Sequence, residues 1–192
     1  MVNEGEIRSV NVLLGNGLIK QISPITSQPV ADLVVEGRGA FLLPGLVDDQ
    51  VHFREPGLTH KGCIRTESRA ALRGGVTSYM EMPNTRPSTC DRESWEAKMA
   101  VAATDSAVNY SFYMGANGHN LNELLEADYS RIPGVKIFMG SSTGELLVDD
   151  PELLRSLYCA MHQRHPGVPI ALHCENDKVI SEQAARHALF TP

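Results

Sequence analysis

The spacing of apolar and polar positions divides the chain into two textures. Over residues 1–45 the apolar positions come in short β-branched or alternating runs, Asn11 to Leu14, Leu18 to Ile22 and Ala31 to Glu36. Turn formers separate them at Gly15-Asn16-Gly17 and Gly37-Arg38-Gly39. No helical period is present, so this segment predicts a small β module. From Pro44 onward the texture becomes strand, loop, helix, repeated. Strand-like runs begin near Leu46, Thr77, Asn109, Val135 and Pro169, and helices are predicted over Lys61 to Arg73, Arg92 to Ala103, Leu121 to Ala127, Pro151 to Met161 and Asp177 to Ala188. Asp91 before Arg92-Glu93 and Asp150 before Pro151-Glu152 have the chemistry of helix starts. The repeat of roughly thirty residues is one βα step of a parallel α/β fold. Residues 46–192 hold five steps, which suits an open doubly wound sheet and falls short of a (β/α)8 barrel unless the chain is incomplete. Pattern alone leaves both architectures open.

Composition narrows the class. The chain of 192 residues is 42% hydrophobic and 21% charged, which excludes collagen-like, coiled-coil and disordered chains. No apolar run approaches the roughly 18 residues of a membrane span. The N-terminus MVNEGEIRSV has no apolar signal region, so a cytoplasmic location is expected. A formal charge of −6 without a Lys/Arg run argues against a nucleic-acid partner. Cys63, Cys90, Cys159 and Cys174 are scattered with no Cys-x-x-Cys pair, as expected of reduced core or surface thiols.

The candidate chemistry gathers at strand ends. By the period-2 rule Asp48, Gln50, His52 and Arg54 share one face of the first strand, at odds with an oily core; the bland alternative is an edge strand with a solvated face. Glu55-Pro56-Gly57 closes that run, which puts its polar residues at the C-terminal mouth, where α/β folds keep their sites. The second strand finishes on Asn84-Thr85. The fourth carries Lys136 inside an apolar run, and the fifth carries His173 near its end. A Lys in such a run is costly to bury unless paired or chemically altered. Singly, each has an ordinary explanation: a core histidine, or an asparagine in a turn. Together they place His, Arg, Asn, Lys and His on successive strand ends. Two imidazoles and a lysine point to a divalent metal, because neutral imidazole suits zinc and a carbamylated lysine is an anionic bridging ligand. Such a metal generates hydroxide near neutral pH. Arg54 and Asn84 then remain for substrate, and an arginine suits a carboxylate.

These stretches carry a resemblance. Pro44-Gly45-Leu46-Val47-Asp48-Asp49-Gln50-Val51-His52-Phe53-Arg54-Glu55-Pro56-Gly57 resembles the first-strand motif of the dihydroorotases in the amidohydrolase superfamily. Met82-Pro83-Asn84-Thr85, Gly134 to Gly140 and Leu172-His173-Cys174-Glu175 are similar to that family's second, fourth and fifth strand motifs, in order. The resemblance implies a (β/α)8 TIM barrel, truncated here after about five βα units over residues 46–192, with residues 1–45 as part of a β-sandwich. It implies His52, Lys136 and His173 as metal ligands, with Lys136 carbamylated and Gln50 a weaker ligand. It also implies Arg54 and Asn84 as contacts to the substrate carboxylate, and one or two Zn2+ ions or another divalent metal as cofactor.

Two departures from the family pattern stand out. Gln50 occupies the first position of the usual His-x-His, and an amide oxygen binds zinc poorly. The family's sixth-strand His and its catalytic Asp have no counterpart, so no catalytic acid is expected within this chain. The activity implied is reversible hydrolysis of dihydroorotate to N-carbamoyl-L-aspartate in pyrimidine biosynthesis, by a metal-activated hydroxide and, when full length, in a homo-oligomer. The alternatives are an allantoinase or hydantoinase, a truncated non-catalytic subunit, and an unrelated five-stranded binding protein. His60, His162, His165 and His187 are expected at the surface and His119 in a loop. Gly140-Ser141-Ser142-Thr143-Gly144 lacks the Lys and spacing of a phosphate loop.

Overall fold

The computed structural model describes residues 1–3, 5–140 and 144–188; the loop reading at residues 141–143 lies outside them. Met1–Gly45 and Leu46–Pro192 form two compact units. In the first, β1 (Val2–Asn3) pairs antiparallel with β2 (Glu6–Ile7), and β3 (Val10–Gly15) with β4 (Leu18–Pro24). Asn16 and Gly17 join β3 to β4 with φ of 52° and 73°. Both are left-handed, the conformation that an Asn-Gly pair adopts at a two-residue hairpin loop.

The strand predicted over Ala31 to Glu36 does not form. Val30 is 97% exposed and Val35 83%, and the run has no ladder among the described residues. β-propensity measures fit to a paired, half-buried surface, so a β-branched run without a partner stays irregular.

The second unit alternates strand and helix. Its strands are β5 (Leu46–Val51), β6 (Val76–Glu81), β7 (Asn109–Phe112), β8 (Met114–Gly115), β9 (Val135–Phe138) and β10 (Ile170–His173). Its helices are α1 (Ile64–Arg73), α2 (Arg92–Asp105), α3 (Leu121–Glu126), α4 (Pro151–Arg164) and α5 (Asp177–Ala188). Every ladder is parallel, in the orders β5-β6-β7 and β8-β9-β10, and only Tyr113 separates β7 from β8. Spatial order therefore follows chain order. A doubly wound sheet would reverse direction after its first strands, whereas a barrel wall adds each strand beside the last. The pairing decides what pattern left open. The α/β unit is singly wound.

Apolar side chains of strand and helix interlock in one core. Tyr79, Phe112, Val135 and Ile137 meet Ile64, Trp95, Leu124, Leu157 and Met161, and the Trp95 indole donates to Phe112 O at 2.9 Å. Helix starts follow local chemistry. The Asp91 carboxylate accepts from Ser94 N at 2.7 Å, and Asp150 accepts from Glu152 N and Leu153 N. Predicted from Lys61, α1 begins only at Ile64, whose N–H donates to Glu55 Oε2 at 2.8 Å. A loop carboxylate thus takes the place of a cap. His165 is not a surface group: its Nε2 lies 2.8 Å from Leu125 O and its ring meets Tyr129 edge-on. No helix among the described residues is long and apolar enough to cross a membrane.

β5 departs from the period-2 alternation that its sequence predicts. Asp48 pairs with Tyr79 and Val51 with Glu81, so β5 carries one residue more than β6 over this span. A bulge of this kind resets the alternation. β5 also ends at Val51, and Arg54 lies beyond it with φ of 73°. Asp48, Gln50, His52 and Arg54 therefore do not form one continuous face, and the last two take their positions from the loop.

Candidate active site

The loops leaving β5 and β6 are stitched together by backbone bonds. Met82 N donates to Val51 O at 3.0 Å and Arg86 N to Pro56 O at 3.1 Å. Gly57, at φ 80°, packs so closely on the Arg86 carbonyl that a Cβ there would overlap it. This brings His52 to Asn84, with Nδ1 2.9 Å from the Asn84 Oδ1. The amide oxygen only accepts, so Nδ1 carries the proton and the lone pair of the neutral ring sits on Nε2. Burial and the nearby Arg54 charge hold the imidazole below its ordinary pKa, while the Asn84 bond opposes them. The result is a neutral ligand-type imidazole, with the Asn84 amide NH2 left as a donor.

The structure buries two lysines, each 1% exposed, in different company. Lys98 of α2 lies 3.1 Å from Glu81 Oε2, donates to Met82 O at 3.3 Å and faces the Phe112 ring. Lys136 of β9 has no carboxylate within ion-pair distance among the described residues, and its Nζ lies 5.1 Å from the centre of the Phe138 ring. Desolvation pushes its pKa down, toward the free amine that attacks carbon dioxide. Lys136 and Arg54 both depress the pKa of His52, so the three groups share one electrostatic neighbourhood.

His173 closes β10, with Nε2 3.0 Å from Glu175 Oε2 and its ring tilted against Phe138 at 5.9 Å. Gln50 is exposed within the bulged stretch of β5. Among the described residues no three His, Cys, Asp or Glu side chains converge as a ready metal site. The donor chemistry that suits a cation is the neutral His52 ring and the uncompensated Lys136 amine. A cleft of about 390 Å3 beside the loop after β6, lined by residues including Thr85, Arg86, Asp91, Asn117 and Glu145, contains neither of them.

Sequence reasoning missed the Glu81–Lys98 pair. Its signal was legible: Trp95, Lys98 and Ala102 recur at helical spacing, and all three are buried. Glu81 likewise alternates with the buried Tyr79 on β6. Besides facing Lys98, Glu81 accepts from Arg54 N at 2.8 Å through Oε1. Burial raises the pKa of its carboxyl and lowers that of the Lys98 ammonium, and each partner opposes the other's shift.

Comparison with known proteins gives the relationship. A family described as dihydro-orotase-like matches residues 39–190. The dihydroorotase of Methanosarcina acetivorans is 33% identical over 174 residues, 90% of this chain and 36% of that protein. The allantoinase of Solibacter usitatus is 32% identical over 97% of this chain and 40% of its own length. Among solved structures, an L-hydantoinase from Arthrobacter aurescens superposes with a TM-score of 0.85 at 25% identity, over 95% of this chain and 41% of that one. The chain thus spans about two fifths or less of the length of these relatives. With the parallel, singly wound architecture and the motif residues in order along it, the chain belongs to the dihydro-orotase-like family of cyclic amidohydrolases.

Proposed function

We propose that this chain contributes substrate and metal contacts to a dihydroorotase, which interconverts dihydroorotate and N-carbamoyl-L-aspartate in pyrimidine biosynthesis. Its five βα units correspond to the first five of a (β/α)8 barrel, and Met1–Gly45 to part of a β-sandwich. Strand order and the share of each relative covered support that correspondence.

The observation that carries the reading is the His52–Asn84 contact. With its carbonyl engaged by His52, Asn84 has only its NH2 to offer a ligand, and Arg54 adds a guanidinium two residues from His52. Two sets of N–H donors with a full positive charge suit a carboxylate. Dihydroorotate carries a pendant carboxylate, and allantoin and simple hydantoins do not. His52, His173 and carbamylated Lys136 would hold a divalent cation, with Gln50 a weaker fourth group. When bound, the cation supplies Lewis acidity and an activated water. Arg54 and Asn84 orient the ring, and the Asn84 carbonyl keeps the His52 lone pair on Nε2.

The allantoinase relative and the L-hydantoinase superposition favour a second reading, hydrolysis of a ring that lacks the carboxylate. The complete gene product, supplied with zinc and bicarbonate, should consume dihydroorotate and leave allantoin and hydantoin untouched. Arg54→Lys should raise KM for dihydroorotate about tenfold with a smaller change in kcat, because an ammonium lacks the two-pronged geometry. Turnover of allantoin or hydantoin alone replaces this reading with the second.

A further inference from the structure

The buried Glu81–Lys98 pair touches both strand mouths that carry the proposed substrate contacts. On one side Glu81 Oε1 accepts from Arg54 N at 2.8 Å. On the other, Lys98 Nζ donates to Met82 O at 3.3 Å, two residues before Asn84. The two charges lie 3.1 Å apart, with side chains 1% exposed or less. A non-glycine residue at φ 73° is strained and persists only where its surroundings hold it. Arg54 is such a residue, and its amide is held by a carboxylate from the neighbouring strand.

We propose that Glu81 is a positioning residue: its carboxylate, neutralised by Lys98, anchors the Arg54 amide, so that the loop bearing Arg54 keeps one position beside the loop bearing Asn84. The catalytic consequence rests on the dihydroorotase reading; the anchor itself does not. A purely structural ion pair would behave differently. Replacing a buried pair by apolar residues of similar volume is often neutral or stabilising. An anchor fails in that exchange, because the Arg54 amide loses its acceptor.

The deciding comparison is between E81M/K98M, which removes both charges and the acceptor, and E81Q/K98M, which removes both charges and keeps an acceptor oxygen. Amide hydrogen exchange followed by NMR reads Arg54 against Ile137 of β9. In E81M/K98M the Arg54 amide should exchange at least about tenfold faster while Ile137 stays within about threefold of wild type. In E81Q/K98M both amides should stay within about threefold. Unchanged protection of Arg54 in E81M/K98M, equal loss at both amides, or equal loss at Arg54 in the two variants overturns the proposal. In the active enzyme KM for dihydroorotate should rise about tenfold in E81M/K98M, with kcat falling less, and E81Q/K98M should restore it. A loosened Arg54 with unchanged KM overturns the positioning role. Absence of dihydroorotate turnover in the wild-type protein counts against the dihydroorotase reading alone, because exchange reads the anchor without substrate.

Discussion

At the scale of single residues, charge and burial separate groups that look alike in the sequence. Lys98 and Lys136 are equally buried, but among the described residues only Lys98 faces a carboxylate. Lys98→Met should therefore cost about 3–5 kcal/mol, because Glu81 is left as an uncompensated buried charge. Lys136→Met should change stability by about 1 kcal/mol or less and, on the proposed reading of Lys136 as a carbamylated ligand, abolish metal retention. Urea unfolding and metal analysis of the two variants check both outcomes, and equal destabilisation would contradict the difference in partners. His52 gives a second residue-level test. Its titration midpoint by NMR should fall below the usual imidazole value of about 6.5. Asn84→Ala should lower it further, since that bond favours the protonated ring, and Arg54→Met should raise it. A folded value below the unfolded one means that the contribution of His52 to stability is present above the unfolded pKa and drains away as pH falls through the folded one. Half exposure keeps the contribution small.

At the scale of elements, boundaries follow which backbone groups find partners. Asp91→Ala removes the acceptor for Ser94 N and should cost about 1 kcal/mol, read as a lower urea midpoint with unchanged slope. Asp91 and Asp150 were legible as helix starts because capping is local chemistry, complete within four residues. The start of α1 was not, because its first N–H bonds to Glu55, nine residues earlier, and sequence spacing does not reveal which loop carboxylate folds back. The same limit applies to β5. A period-2 reading has no means of seeing a bulge, which is a property of the ladder with β6 and not of β5 alone. Ala31 to Glu36 erred for the converse reason, since propensity suggested a strand and pairing decides whether one forms.

At the scale of the whole molecule, the candidate residues stood out in the sequence as polar or charged groups inside or just after apolar runs that the βα repeat sets side by side. Their roles toward one another were not, since the His52–Asn84 bond and the Glu81–Lys98 pair join residues on different elements. The exposed run around Ala31 to Glu36 leads to another expectation. A segment without a ladder, with Val30, Leu33, Val34 and Val35 all exposed, is open to cleavage. Limited elastase digestion should cut there first and release a fragment that begins shortly before Leu46; initial cuts inside Leu46–His173 would contradict the division into two units.

The strand order bears on synthesis as well as on shape. Leu46 pairs with Val76, Ser78 with Asn109, Met114 with Val135 and Val135 with Ile170, so each strand of a ladder lies beside the one made just before it. No strand in these ladders waits for a distant stretch of chain before it can pair, and the loop each pairing must close is short. As the polypeptide leaves the ribosome, every new βα step meets an edge already laid down. The wall can therefore grow in the direction of translation, and the β5–β6 mouth that holds His52, Arg54 and Asn84 is the first part of it to take shape.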